Sequence, residues 1–382
     1  MSKRRGGGMK ERQKDSEMKN KRVAIMLYRL KFGGAERVML TLAEAFAERG
    51  LTVDLVACEA KGEFLGFVPD GINVINLDTP GTFKASKRLA QYIDRDKPDS
   101  IIANGDRCTM AAYLARKKNG HIPRVISVVH HDLLGALLSQ EGSTVKNKFI
   151  AWMKKIPMSY IYPRIDKIVA VSKGSADSVT KFLGYPREQI EVIYNPIKVD
   201  EIRKLAQEPV EHLWFTKKDQ PIVISVGRLT PQKDFPTLIH AFALLLKETQ
   251  ARLMIIGEGP ERERLGKLIS ELGIEKSVDL LGFQNNPHKF VARADLFAMS
   301  SIFEGLPTVL LEAMTLRVPI VSTDCPSGPA ELLTAHPERL VPMRNPEMLE
   351  AGILSLLGAK KEEICMDDFS IDAACKSYYC IL

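Results

Sequence analysis

Apolar residues alternate along the chain between two spacings. Short runs such as VAIMLY (23–28), VISVV (125–129), IVISV (222–226) and LMIIG (253–257) are flanked by Gly, Pro or charged residues. They read as strands buried on both faces. Longer segments with apolar positions three and four apart lie between them and read as helices. In the first half the pattern predicts strands over 23–28, 51–58, 97–103, 125–129, 167–171 and 191–194. Helices are predicted over 35–49 and 173–183, with another before residue 97 that carries Leu89, Tyr92 and Ile93 on one face. A charged, irregular stretch over 196–220 follows. The alternation then restarts, with strands over 222–226, 251–256, 278–281, 295–299 and 318–321 and helices over 235–248, 260–271, 287–293 and 308–316. Such alternation predicts parallel sheets covered on both faces, and the break predicts two doubly wound α/β domains. A length of 382 residues also favours two cores over one.

Ligands of doubly wound sheets sit beyond the carboxyl ends of the strands, so the residues just after each strand are the candidates. The richest is FEGLPTVLLEAM (303–314), which sets Glu304 and Glu312 on either side of a Gly-Leu-Pro turn that opens a helix. Gly305 accepts positive φ and Pro307 suits a first helical turn. The amides from Thr308 to Leu310 are then expected to be unpaired helix N-terminal donors, a seat for phosphate. An anion seat between two carboxylates suits a ligand that is part phosphate and part polyol, as a nucleotide-sugar is. SVGRLTPQKD (225–234) places Arg228 and Lys233 after another strand, where cations meet a diphosphate. A solubilising surface pair is the plainer alternative.

His130 and His131 follow the strand at 125–129. Neighbours in an extended chain point opposite ways, so one imidazole can face a ligand, and His130 is the preferred one. Phe32 to Val38 (FGGAERV) reads as a Gly-Gly turn before a helix, and Glu59 ends the next strand, where an acid could meet a ribose. The G-x-G-x-x-G spacing of dinucleotide-binding folds is absent. In GEGPERERL (257–265), Gly257 and Gly259 allow close approach of a base or ribose, against the alternative of a plain strand-helix turn. Gly282 and Phe283 end LLGF (280–283), where a uracil-like ring could lie. The D-x-D at Asp94–Asp96 falls at a charged helix end and reads as solvated.

Charge narrows the picture. Residues 1–22 carry nine Lys or Arg against three acids, a net +6 of the chain's +7, so the remainder is near neutral. This tail reads as disordered, either solubilising or a tether to anionic lipid. Residues 146–167 mix six cations with Phe149, Trp152, Met153, Tyr160 and Tyr162, which suits an anionic bilayer surface or an amphipathic helix packed on the sheet. Nucleic acid is not expected as a partner, because no basic groove matches that segment. Six cysteines without a C-x-x-C pair read as free thiols in a reducing, cytoplasmic compartment. No apolar run reaches the roughly 20 residues needed to span a bilayer, and no signal segment is visible.

Taken in order, GGAERV (33–38), VGRL with Lys233, GEGPER (257–262), LGF (281–283), the E-x7-E of Glu304 and Glu312, and STDCPSGPAELL (322–333) resemble the retaining family 4 glycosyltransferases of the GT-B fold. The resemblance spans roughly 22–345. It implies two Rossmann-like domains facing across a cleft: a basic tail over 1–21, an acceptor-side domain over 22–195, a linker over 196–220, and a nucleotide-sugar domain over 221–365. A segment over 366–382, with Tyr378 and Tyr379, is expected to cross back to the first domain. By the same resemblance Arg228 and Lys233 neutralise the donor diphosphate, Glu304 meets the donor sugar, Glu312 the ribose, and His130 the donor sugar. Gly33 and Gly34 approach the diphosphate, with Gly227, Gly257, Gly282 and Phe283 lining the donor site and Gly305, Leu306, Pro307, Thr308, Val309 and Leu310 presenting their backbone.

A UDP-linked hexose or N-acetylhexosamine would be the donor, with no metal or other cofactor, and a cell-surface glycan or lipid-linked saccharide the acceptor, at the inner face of the membrane. A sugar-nucleotide epimerase and a non-catalytic basic membrane or nucleic-acid module are the alternatives. The sequence departs from the family pattern at Arg317, where a small residue is usual, and at His131, where Asn or another polar residue is common.

Overall fold

A computed structural model of the chain describes residues 19–30, 33–116, 120–133, 155–362 and 364–382. The basic tail up to residue 18, Phe32, and the 146–154 part of the basic-aromatic segment lie outside the described residues. The chain divides into two compact units. The first draws on Met1–His130, Ser143–Ile197 and Asp367–Leu382, and the second on His131–Gly142 and Lys198–Met366.

In the first unit the strands are β1 (Arg22–Arg29), β2 (Thr52–Glu59), β3 (Asn73–Asn76), β4 (Ser100–Asn104), β5 (Arg124–Val129), β6 (Lys167–Ala170) and β7 (Ile190–Val192). The main helices between them are α1 (Gly34–Glu48), α2 (Thr82–Asp96), α3 (Gly105–Arg116) and α4 (Lys173–Leu183). All seven strands run parallel in the order β3-β2-β1-β4-β5-β6-β7. Central β1 is wholly apolar from Val23 to Leu27 and has no exposed surface there, because helices cover both faces. Ile25 stands opposite Leu55 on one side and Ile102 on the other, so branched side chains tile the middle of the sheet.

The stretch over 196–220 is not irregular throughout. It holds α5 (Val199–Leu205) and a single turn, α6 (Leu213–Thr216), whose start is capped by His212 Nδ1 accepting from the Trp214 amide at 3.2 Å. The second unit continues with β8 (Ile222–Val226), α7 (Phe235–Glu248), β9 (Arg252–Ile256), α8 (Arg262–Glu271), β10 (Val278–Gly282), α9 (His288–Val291), β11 (Leu296–Met299), α10 (Thr308–Thr315), β12 (Ile320–Thr323), α11 (Pro329–Leu332), β13 (Leu340–Val341) and α12 (Pro346–Leu356). Its six strands are also parallel, in the order β10-β9-β8-β11-β12-β13. Phe235, Leu238, Phe242 and Leu245 of α7 pack with Leu253, Ile255 and Leu296 into one core.

After α12 the chain returns to the first unit as α13 (Ile371–Tyr379). Tyr378 and Tyr379 both approach the Phe46 ring of α1, at centroid distances of 5.9 Å, and Arg49 pairs with Asp372. Within residues 155–167 the side chains divide, with Lys155, Tyr160 and Arg164 exposed and Met158, Ile161 and Tyr162 buried. Tyr162 is fully buried, Arg164 stacks on Tyr160 at 3.8 Å, and Lys167 meets Glu191 at 3.2 Å. Among the described residues, no helix is long and apolar enough to cross a membrane. All six cysteines are free thiols.

Arg317 marks a local cost. It follows α10 at φ 58°, in the left-handed region, with its amide bonded to Met314 O at 2.9 Å and the Val318 amide bonded to Ala313 O at 3.1 Å. This is the Schellman ending that glycine favours, since a Cβ is strained there. Replacing Arg317 with Gly is expected to stabilise the protein by about 1 kcal/mol. A urea transition moved to higher midpoint at unchanged slope would register it.

Candidate active site

A parallel sheet opens a crevice where the strand order changes direction, because the connections on either side leave toward opposite faces. In the second unit that point lies between β8 and β11. Two of the segments singled out from sequence leave the sheet at this point: Gly227 to Asp234 after β8, and Ser300 to Pro307 after β11.

These loops are joined by one backbone hydrogen bond and two from side chains to backbone carbonyls. The Ile302 amide donates to Gln232 O at 2.9 Å, Gln232 Nε2 donates to Phe303 O at 2.9 Å, and Ser300 Oγ donates to Lys233 O at 2.8 Å. Lys233 Nζ consequently reaches Glu304 Oε1 at 2.5 Å, while Ser301 Oγ donates to the same oxygen at 2.7 Å. Glu304 is only 7% exposed, so its charge is compensated by a cation and a hydroxyl rather than by water. Arg228 differs. It is exposed, and among the described residues no ion pair engages its guanidinium.

Behind this pair the STDCPSGP block acts as a brace. Thr323 Oγ1 donates to Ser301 O at 2.6 Å, and the Glu304 amide donates to Pro326 O at 3.2 Å. Gly328, at φ 90°, presses on the Gly305–Pro307 turn: a Cβ there would lie 2.6 Å from Pro307 Cδ and 2.7 Å from Gly305 O. Cys325, buried beside Glu304, has its thiol pKa pushed well up by burial first and then by that carboxylate. It is an inert thiol.

Past the turn, Pro307 caps α10 in an extended conformation. The Leu310 amide bonds back to Pro307 O at 3.1 Å, so the expected three free amides reduce to Thr308 and Val309 among the described residues. Glu312 lies in the body of α10 at 8% exposure, with His288 Nδ1 at 3.7 Å from its Oε2. His288, Ser301 and Gln232 escaped the sequence reading. Ser301 alone left a trace there, as a hydroxyl pair between an apolar strand and the Glu304 motif.

The glycines at the neighbouring strand tips serve the chain itself. A Cβ on Gly257 (φ 147°) would collide with Gly227 O, and one on Gly259 with Leu229 O. The amides of Gly227 and Gly257 bond to Ile256 O and Gly282 O, each at 3.0 Å, stitching the ends of β8, β9 and β10 together. Arg262 then locks this edge, donating to Glu258 Oε1 at 2.8 Å and to Leu280 O at 2.9 Å. At Gly257 and Gly259 the missing side chains make room for backbone. Phe283, just beyond β10, is 43% exposed.

At the end of β5, His130, which is assigned to the first unit, and His131, which is assigned to the second, are both part-buried. Gly33 caps α1 and Gly34 begins it, and the Glu36 carboxylate folds back over Gly33, in the place an added Cβ would take. An acid at the third helical position neutralises the terminus from within. Glu59, considered for a ribose, instead pairs with Arg29. Asp96 of the D-x-D pairs with Arg22 at 3.1 Å and with Arg95 at 2.7 Å, consistent with a structural helix end.

Two Rossmann-like sheets, with a cation-carboxylate pair at the switch point of the second, define the class: a GT-B nucleotide-sugar enzyme fold. The sequence pattern of "Glycosyl transferases group 1" matches residues 212–366, and that of "Glycosyltransferase Family 4" matches residues 32–201. The chain belongs to the family 4 glycosyltransferases of the GT-B fold. A curated relative from Campylobacter jejuni subsp. jejuni is an N-acetylgalactosamine-N,N'-diacetylbacillosaminyl-diphospho-undecaprenol 4-alpha-N-acetylgalactosaminyltransferase. It is 30% identical over 81% of this chain and 83% of its own length. The lipopolysaccharide core biosynthesis glycosyltransferase LpsE of Rhizobium meliloti is 30% identical over 77% of this chain and 76% of its own. In fold, the chain is similar to Anabaena HepE solved with UDP-glucose, at TM-score 0.72 and 21% identity, covering 94% of this chain and 98% of that one.

The Gly257 arrangement is checkable. Gly257→Ala is expected to cost about 2 kcal/mol or more, through strain and overlap with Gly227 O. Gly266→Ala, in the middle of α8 with open space around it, should be neutral or stabilising by about 1 kcal/mol. Equal midpoints for the two variants in chemical denaturation would contradict the packing described.

Proposed function

We propose that the enzyme transfers a hexose or N-acetylhexosamine from a UDP-sugar to a cell-surface glycan or its lipid-linked precursor, with retention of anomeric configuration and without a metal. The observation that carries this reading is the joined pair of loops at the β8/β11 switch point, which sets Lys233 against Glu304 and carries Arg228 on the same loop as Lys233. Cations there answer the two phosphates of a nucleotide-sugar, while buried carboxylates accept hydroxyl protons from its sugars. The named activities of the Campylobacter and Rhizobium relatives and the UDP-glucose held by HepE support the choice of donor and acceptor class.

The roles follow from what each side chain is already doing. Glu304, held by Lys233 and Ser301, is placed to grip a sugar hydroxyl rather than to attack as a nucleophile. Glu312 takes the ribose hydroxyls, with His288 behind it. Arg228, with its donors uncommitted, meets the diphosphate as negative charge develops on the leaving group. His130 contacts the donor sugar, and Phe283 stacks on the base. The acceptor hydroxyl attacks on the face from which the phosphate departs, and that phosphate takes its proton. The protein contributes position and charge. A lipid-linked acceptor is met by this reading in the cytoplasm, at the inner face of the membrane.

Titration calorimetry of the protein with UDP-, GDP- and ADP-sugars tests the reading. A UDP-sugar is expected to bind, and silence from all three classes would sink it. Glu312→Ala should raise the donor Kd about tenfold, and Arg228→Ala should cut turnover about 100-fold. Proton NMR of the product is expected to show the donor's anomeric configuration, and excess EDTA should leave the rate unchanged. Conversion of donor to its epimer in the absence of acceptor would favour the epimerase instead.

A further inference from the structure

The rule that locates the donor loops in the second unit has a counterpart in the first. There the strand order reverses between β1 and β4, so the crevice at their carboxyl ends is the corresponding ligand position. Tyr28 and Arg29 close β1 on one side, and Gly105, Asp106 and Arg107 open α3 after β4 on the other.

The side chains here form a charged platform. Both guanidinium carbons approach the Tyr28 ring, Arg29 at 5.3 Å and Arg107 at 5.0 Å from its centroid. The ring is itself fixed, since Tyr28 Oη donates to Pro80 O at 3.0 Å. The nearby acids are committed elsewhere. Glu59 pairs with Arg29, Asp106 accepts from the buried Tyr162 hydroxyl at 3.2 Å, and Glu36 folds over the start of its own helix. Arg107 is exposed and, among the described residues, no carboxylate pairs with it. One positive charge is left over, oriented by an aromatic face at the switch point. A stacked guanidinium with its donor edge uncommitted is built to take a phosphate in two parallel hydrogen bonds.

We propose that this crevice binds the phosphate or diphosphate of the sugar acceptor, with Arg107 as its principal ligand and Tyr28 as its platform. The assignment to the acceptor rests on the transferase reading above, in which Arg228 and Lys233 already answer the donor's phosphates. A neutral glycan would have no use for an uncompensated guanidinium here. The preferred acceptor is therefore phosphorylated, either as a lipid-linked diphosphate saccharide or as a free sugar phosphate.

Direct binding separates this from catalysis. Wild-type protein and Arg107→Gln would be titrated with farnesyl diphosphate, N-acetylglucosamine 1-phosphate, the neutral octyl N-acetylglucosaminide, and UDP. Wild type is expected to bind at least one of the two phosphate compounds, with the octyl glycoside at least tenfold weaker. Preference for farnesyl diphosphate assigns the lipid-linked source, and preference for the sugar phosphate assigns the free one. Arg107→Gln should weaken the phosphate compound at least tenfold, Arg107→Lys should recover part of the loss, and UDP affinity should stay unchanged. Undiminished phosphate binding by Arg107→Gln, or no discrimination against the octyl glycoside, would overturn the proposal. UDP-sugar binding is read separately, so a failure of the transferase reading shows as loss of that signal and not as a change at Arg107.

Discussion

Everything in this molecule follows from running all strands of each sheet in one direction. A parallel sheet gathers its strand ends, and hence its variable loops, along one edge. Where the winding reverses, adjacent loops part and leave a crevice without any cost to the core. The apolar tiling of β1 and β8 fixes the sheets, and the sheets fix where chemistry can be placed. In the second unit the Lys233 and Glu304 loops, 71 residues apart in sequence, become one bonded structure because β8 and β11 are neighbours.

A lysine and a glutamate held this far from water contribute little to net stability. Their mutual attraction largely repays the loss of hydration, and an apolar pair of equal volume would fold at least as well. Their retention is better understood as preorganisation. Ser301, Gln232, Thr323 and Gly328 all spend hydrogen bonds or contact on keeping the Glu304 loop in one shape. A ligand then finds its acceptors already oriented, and binding need not order them.

The strands with continuous apolar runs were legible from sequence, since burial on both faces demands nothing but hydrophobicity. Edge strand β3, NVIN, was not, because its residues are mostly exposed and carry no such run. Helix α3 hid for a different reason: its buried positions are largely alanine, cysteine and threonine, which draw no apolar stripe. Linker helix α5 buries only Ile202. At the candidate site the charged residues announced themselves, while their supports did not. Pairing Lys233 with Glu304, or Glu312 with His288, depends on strand order rather than on any local pattern. Glycines were an ambiguous signal. A missing side chain admits a ligand or another stretch of backbone equally well, and at Gly257 and Gly259 it is backbone.

The return of the chain as α13 bears on the order in which the molecule is made. Phe46 and Arg49 of α1 find partners in Asp372, Tyr378 and Tyr379, with 323 residues separating Arg49 from Asp372 along the chain. The second unit, by contrast, is almost entirely contiguous from Lys198 to Met366. Synthesis therefore presents the later sheet with everything it needs while the earlier one still waits for its final helix. During that interval the flank of α1 around Phe46 is bare apolar surface on a nascent chain, where a chaperone would find its natural hold.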